Sequence, residues 1–163
     1  MPENAIMKVL LAIGLVASSL IPIHPAWGVT CTTSATAMAF GPYQPLSGAS
    51  LATTATITVT CNPGTIALQE SYSIQIGAGT GGSVTSRSMS GPGSRLAYQV
   101  YTDALHTVIW GDGSAGTSVV SDSYLIGLIL PVTRIYTAYG LIAASLRVGI
   151  GSYVDSLIIT VTY

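Results

Sequence analysis

The stretch LATTATITVTC, residues 51–61, constrains the fold more than any other part of the chain. Ala55, Ile57, Val59 and Cys61 alternate there with Thr54, Thr56, Thr58 and Thr60. A period of two sends alternate side chains to opposite faces of an extended backbone, so this is a β-strand with one apolar and one hydroxyl face. Its apolar face needs a second layer to cover it, and the rest of the chain offers strands rather than helices. After the first 28 residues no segment carries a 3.6-residue period.

The further strands read as follows. Residues 29–40 form a first one, with small side chains on one side and Met38 and Phe40 on the other. Tyr72, Ile74 and Ile76 alternate with Ser71, Ser73 and Gln75. Leu96, Tyr98 and Val100 mark another strand running into Tyr101, residues 107–110 a short one, and residues 136–142 a longer one. Residues 124–132 (YLIGLILPV) are continuously apolar, which fits a strand covered on both faces, with an adhesive surface patch as the alternative. Leu157, Ile159, Val161 and Tyr163 alternate with Ile158, Thr160 and Thr162 in a final strand, expected to leave an open sheet edge. Gly, Pro, Asn and Ser clusters separate these segments. The pattern predicts an all-β sandwich of about six to seven strands in a single domain, residues 29–163.

Residues 1–28 read as an export signal: Lys8, then an apolar run over residues 9–23, then Ala26-Trp27-Gly28 with small residues placed for cleavage before Val29. Met7 is an alternative start. The apolar run is short for a membrane span, so no stable membrane insertion is expected after cleavage. In an exported protein the only two cysteines, Cys31 and Cys61, predict a structural disulfide. A closed loop of about 30 residues makes that bond worth about 3–4 kcal/mol.

Composition excludes several kinds of chemistry. Charged residues make up 7% of the chain, and after residue 28 the only basic side chains besides His106 are Arg87, Arg95, Arg134 and Arg147, too few for nucleic acid. His106 is the only histidine there and no Gly-x-Ser-x-Gly elbow is present, so no hydrolytic triad assembles. Asp103, Asp112, Asp122 and Asp155 are dispersed without a metal-binding motif. The expectation is a non-enzyme with no cofactor and no metal. Trp110-Gly111-Asp112-Gly113 reads as a buried tryptophan capped by a turn, with a sugar-stacking platform as the alternative. Tyr153 is expected beneath a corner, and Asp155 bonded to turn amides.

The order of motifs carries a resemblance. Phe40-Gly41-Pro42-Tyr43, Ile57-Thr58-Val59-Thr60-Cys61, Arg87-Ser88-Met89, Leu96-Ala97-Tyr98-Gln99-Val100-Tyr101, Trp110-Gly111-Asp112-Gly113, Tyr139-Gly140 and Gly151-Ser152-Tyr153-Val154-Asp155 resemble the spore coat protein U domain family, which overlaps the subunits of archaic chaperone–usher pili. The resemblance implies an incomplete immunoglobulin-like β-sandwich lacking its final strand. It implies as partners a periplasmic chaperone that lends a strand, an outer-membrane usher and a neighbouring pilus subunit. It makes Leu157, Ile159, Val161 and Tyr163 the expected wall of the acceptor groove. With only Val29 and Thr30 between the expected cleavage site and Cys31, the chain resembles a tip-type or terminal subunit that accepts a strand but has little to donate. The function expected is that of a secreted fibre subunit, structural or adhesive, passing through the periplasm to the cell surface. A carbohydrate-binding module, or a coat protein assembled without a chaperone, are the alternatives.

Overall fold

A computed structural model describes residues 29–62, 68–126 and 130–163. The expected leader, residues 1–28, lies outside the described residues. Eight strands are present among them: β1 (Thr30–Ala35), β2 (Leu51–Asn62), β3 (Leu68–Ile76), β4 (Arg87–Ser90), β5 (Arg95–Tyr101), β6 (Val120–Ile126), β7 (Val132–Ile142) and β8 (Ile159–Thr162). They build a five-stranded sheet in the order β1-β2-β7-β5-β4 and a three-stranded sheet in the order β6-β3-β8. Every pairing within the sheets is antiparallel. The fold is the all-β, immunoglobulin-like sandwich expected.

The alternation in β2 does what its period dictates. Ala55, Ile57, Val59 and Cys61 are buried, while the intervening threonines face outward in register with β7, Thr60 opposite Thr133 and Thr56 opposite Thr137. Thr60 and Thr133 share a hydroxyl hydrogen bond of 3.0 Å on that outer face. From β3, Tyr72, Ile74 and Ile76 come down onto the same core, which Leu96, Tyr98, Val100, Ala138 and Ile142 complete. Full burial of each large apolar side chain stabilises the sandwich by about 1.5–3 kcal/mol. Cys31 and Cys61 face each other across β1 and β2 and are joined, fastening the start of β1 to the end of β2.

The first strand ends at Ala35 rather than residue 40, and the last covers Ile159–Thr162 rather than residues 157–163. Three further stretches differ from the expectation. Residues 87–90 form β4, although Arg87-Ser88-Met89-Ser90 shows no apolar alternation. Residues 107–110 make only isolated bridges, Tyr101 with Ile109 and Trp110 with Ser118, because the chain turns sharply around Asp103. That carboxylate accepts from the backbone of Thr107 and Val108, closing a tight loop rather than a ladder. Residues 124–132 are not one strand: they span the end of β6 and the start of β7. Residues 127–129 and the side chains of 124–126 lie outside the described residues, and Leu130 is 72% exposed.

One buried cation helps to lock the core. Arg87 is 1% exposed, and its guanidinium donates to the carbonyls of Gly77 (2.9 Å), Ile76 (2.8 Å) and Trp110 (2.9 Å), and to the Gln99 Oε1. Burial pushes its pKa down, against the opposing influence of Tyr98, Asp155 and Asp112. Satisfying a planar five-donor group with carbonyls avoids the large cost of an unpaired buried charge. Those contacts tie the end of β3, β5 and the Trp110 turn into one unit.

Candidate functional site

The sandwich has four sheet edges, and the chain treats them differently. The edge at β4 is closed, because Ser90 and Val154 exchange backbone hydrogen bonds of 2.8 and 3.0 Å. The edge at β6 carries a charge: Asp122 accepts from the Tyr136 hydroxyl at 2.7 Å and lies 3.8 Å from Arg134. Tyr136 in turn meets the Tyr72 hydroxyl, so this edge is clasped across both sheets. The edges at β1 and β8 have neither device. Among the described residues no strand pairs with the outer side of either, and β8 holds no charged residue and no proline.

Between these two bare edges the core is open. A cavity of about 360 Å³ is walled on one side by Ala35, Ala37, Met38 and Phe40 and on the other by Leu157 and Ile159. Its floor is the core itself: Ala55, Ile57, Ile76, Val100 and Ala138. The first wall follows from how the chain leaves β1. Pairing with β2 continues as far as Thr36, which donates to the Thr56 carbonyl at 2.9 Å, and the Thr53 hydroxyl then holds the Ala39 carbonyl at 2.8 Å. Met38 and Phe40 reach down to Gly140 of β7, where a Cβ would stand 2.8 Å from the tip of the Phe40 ring and would push both side chains aside. Phe40 also packs edge-on to Tyr98, with centroids 5.9 Å apart.

The second wall is fixed by the segment before β8. Asp155 accepts from the Thr80 backbone (2.8 Å) and hydroxyl (2.6 Å), from the Tyr98 hydroxyl (2.7 Å) and from the Ser156 backbone (2.8 Å). Burial pushes the Asp155 carboxyl up, but the bonds from Thr80, Tyr98 and Ser156 outweigh it and hold it below the usual carboxylate range. Burial likewise raises the Tyr98 phenol, with the Asp155 carboxylate adding to the effect, so it stays a donor.

The expected site residues therefore divide. Leu157 and Ile159 line the cavity; Val161 packs half-buried on the core; Tyr163 is 56% exposed beside the serines of β3 and β6. Tyr153 bonds to Ser94 and Gly149 through its hydroxyl, and Gly151 rests against Pro92. Trp110 is 1% exposed and donates its indole N–H to the Ile74 carbonyl at 2.9 Å, so it offers no stacking platform for a sugar. Gly111 bonds into the Ser118 and Ile76 backbones, and Asp112 caps Ser114 ahead of Gly113, which completes the turn with φ +85°. The wall made by Ala35, Ala37, Met38 and Phe40 was not assigned to the groove from sequence, although Met38 and Phe40 stood out on one side of the first strand. Among the described residues no three His, Cys, Asp or Glu side chains group as metal ligands would. Nor is any helix among them long and apolar enough to cross a membrane.

The sequence profile of the Spore Coat Protein U domain matches residues 17–160. The chain belongs to that family. Among curated proteins nothing matches. Among solved structures, a chain of the CsuC–CsuE chaperone–tip adhesion subunit pre-assembly complex, from the archaic chaperone–usher Csu pili of Acinetobacter baumannii, superposes with a TM-score of 0.55. The two are 17% identical over 83% of this chain, which spans 40% of the length of that one. At that identity the likeness is one of fold. A Spore Coat Protein U domain with two bare edges flanking an open core is the geometry that any functional account has to use.

Proposed function

We propose that this Spore Coat Protein U domain is a non-enzymatic subunit of a bacterial surface fibre, and that the groove between β1 and β8 takes up a strand from a partner. The observation that carries the reading is the pair of unguarded edges over an open apolar floor, in a sandwich whose other two edges are blunted. An extended peptide with alternating apolar residues would satisfy the free backbone groups of both edges and fill the cavity, which is β-augmentation. A periplasmic chaperone is the first occupant under this reading, with an usher and a neighbouring subunit acting later. The fold-level likeness to a chain of a chaperone–subunit complex supports the first of these partners. Residues 1–28 act as the export leader, and the protein passes through the periplasm to the cell surface. The tip-type or terminal position rests on the short span between the proposed cleavage site and Cys31.

Co-expression in a periplasm with and without a cognate-type chaperone tests the assignment. The expected result is soluble one-to-one complex in the first case and aggregation or proteolysis in the second. A stable monomer that ignores both chaperone and strand peptides would contradict it. Sequencing the N-terminus of the exported protein checks cleavage before Val29.

A further inference from the structure

The groove does not simply fade out at its Asp155 end. A second apolar cavity, of about 550 Å³, begins there and is lined by Pro42, Tyr43, Leu96, Ile142, Val148 and Ile150. The two cavities share Met38, Phe40, Met89 and Tyr153 and no other residue. Those four side chains are the partition between them. Tyr153 is the member held from the most directions. Its hydroxyl contacts the Ser94 hydroxyl at 2.5 Å and donates to the Gly149 carbonyl at 2.8 Å. Its ring lies against the bare backbone of Gly91, where a Cβ would come within 2.5 Å of two ring carbons. The next residue, Val154, is tied by both backbone groups to Ser90, and the one after it, Asp155, to Thr80 and Tyr98. A side chain pinned in this way is a fixed wall rather than a swinging gate.

We propose that the Tyr153 ring is the end wall of the groove and sets how far an inserted strand can run, and so its register. The inference rests on the strand-acceptor reading above. Side chains on one face of a strand repeat about every 6.5–7 Å. One further inward-facing residue at this end therefore meets the phenol ring in place of open cavity. Removing the ring joins the two cavities and gives that residue an apolar place to go. Tyr153 is in this sense a positioning residue for the partner strand.

The test uses synthetic peptides of alternating apolar and threonine residues, lengthened by two residues at one end or the other, titrated against the folded, disulfide-bonded protein. For the wild-type protein, affinity should rise with length and then stop rising once the strand reaches the wall. In Tyr153→Ala, extension at that one end should bring about a further tenfold gain or more, the worth of one additional buried apolar side chain. Tyr153→Phe, which keeps the ring and loses both hydroxyl contacts, should behave as wild type. Tyr153→Leu provides a smaller opening should the alanine variant fail to fold. Equal length dependence in the wild-type protein and the folded ring-deleted variants would overturn the inference while leaving the groove reading intact. No binding of any peptide to the wild-type protein would overturn both.

Discussion

The two edges of the three-stranded sheet, β6 and β8, flank the same central strand and meet opposite requirements. β6 presents Asp122, whose carboxylate is engaged by Tyr136 with Arg134 nearby, and an edge carrying an inward-bonded charge resists pairing with a foreign strand. β8, ITVT, presents no charge and no proline, and beside it the core is open to a 360 Å³ cavity. The bareness of β8 is therefore local. The same chain guards one edge with a carboxylate and another with the Ser90–Val154 bridge, while among the described residues no strand pairs outside β1 or β8. A general shortage of charged residues does not account for that distribution.

Giving β8 a charge, as β6 has, should have the largest effect. Ile159→Lys places an ammonium group on the groove wall. It should destabilise the fold by about 3 kcal/mol or more through the cost of desolvating the charge, and abolish strand capture, as read by thermal melts and by pull-down with chaperone. Next in size is the disulfide that fastens the start of β1 to the end of β2. Replacing Cys31 and Cys61 by alanine together should lower stability by about 3–4 kcal/mol, measured by urea unfolding, and weaken strand capture in proportion. Unchanged stability would remove the structural role given to the bond.

Smaller changes sharpen the other side. Asp122→Ala leaves the Tyr136 hydroxyl without its carboxylate acceptor and should cost about 1–2 kcal/mol. It should also raise self-association through β6, seen by light scattering, while capture at β8 stays at the wild-type level. Smallest is a pH effect. The Asp155 carboxyl is held below its ordinary range in the folded protein, so its contribution is fully present above about pH 4 and is lost as pH falls through the folded value. Wild-type protein should therefore lose more stability between about pH 5 and pH 2 than Asp155→Asn does, in melts across that range.

How much of this could be read from the residues depends on what each one's placement is determined by. The β2 alternation was legible because one buried face and one solvated face impose a period of two, and the Cys31–Cys61 bond because a chain with an expected export signal and two cysteines has few other uses for them. The β4 strand was not legible, since Arg87 at its head is buried against the usual preference of arginine and is kept there by carbonyls from two separate points in the sequence, Ile76-Gly77 and Trp110. Only assembled tertiary structure supplies those acceptors. The lining of the open cavity was legible by half. Leu157 and Ile159 follow from strand phase, but Tyr163, in the same phase, lies past the end of β8 and is largely in water. The opposite wall depends on a departure from β1 after Thr36 that no local signal marks, although the small Gly140 beneath Met38 and Phe40 is the residue that permits it.

Amide hydrogen exchange on the protein alone and with a bound strand tests the central claim most directly. In the free protein the outward-facing amides of residues 159–162 and of residues 35–40 should exchange rapidly. They should become protected together when a chaperone or donor peptide is added, with β6 unchanged. Protection of those outward-facing β8 amides already present in the free protein, or new protection appearing at β6 instead, would contradict the account.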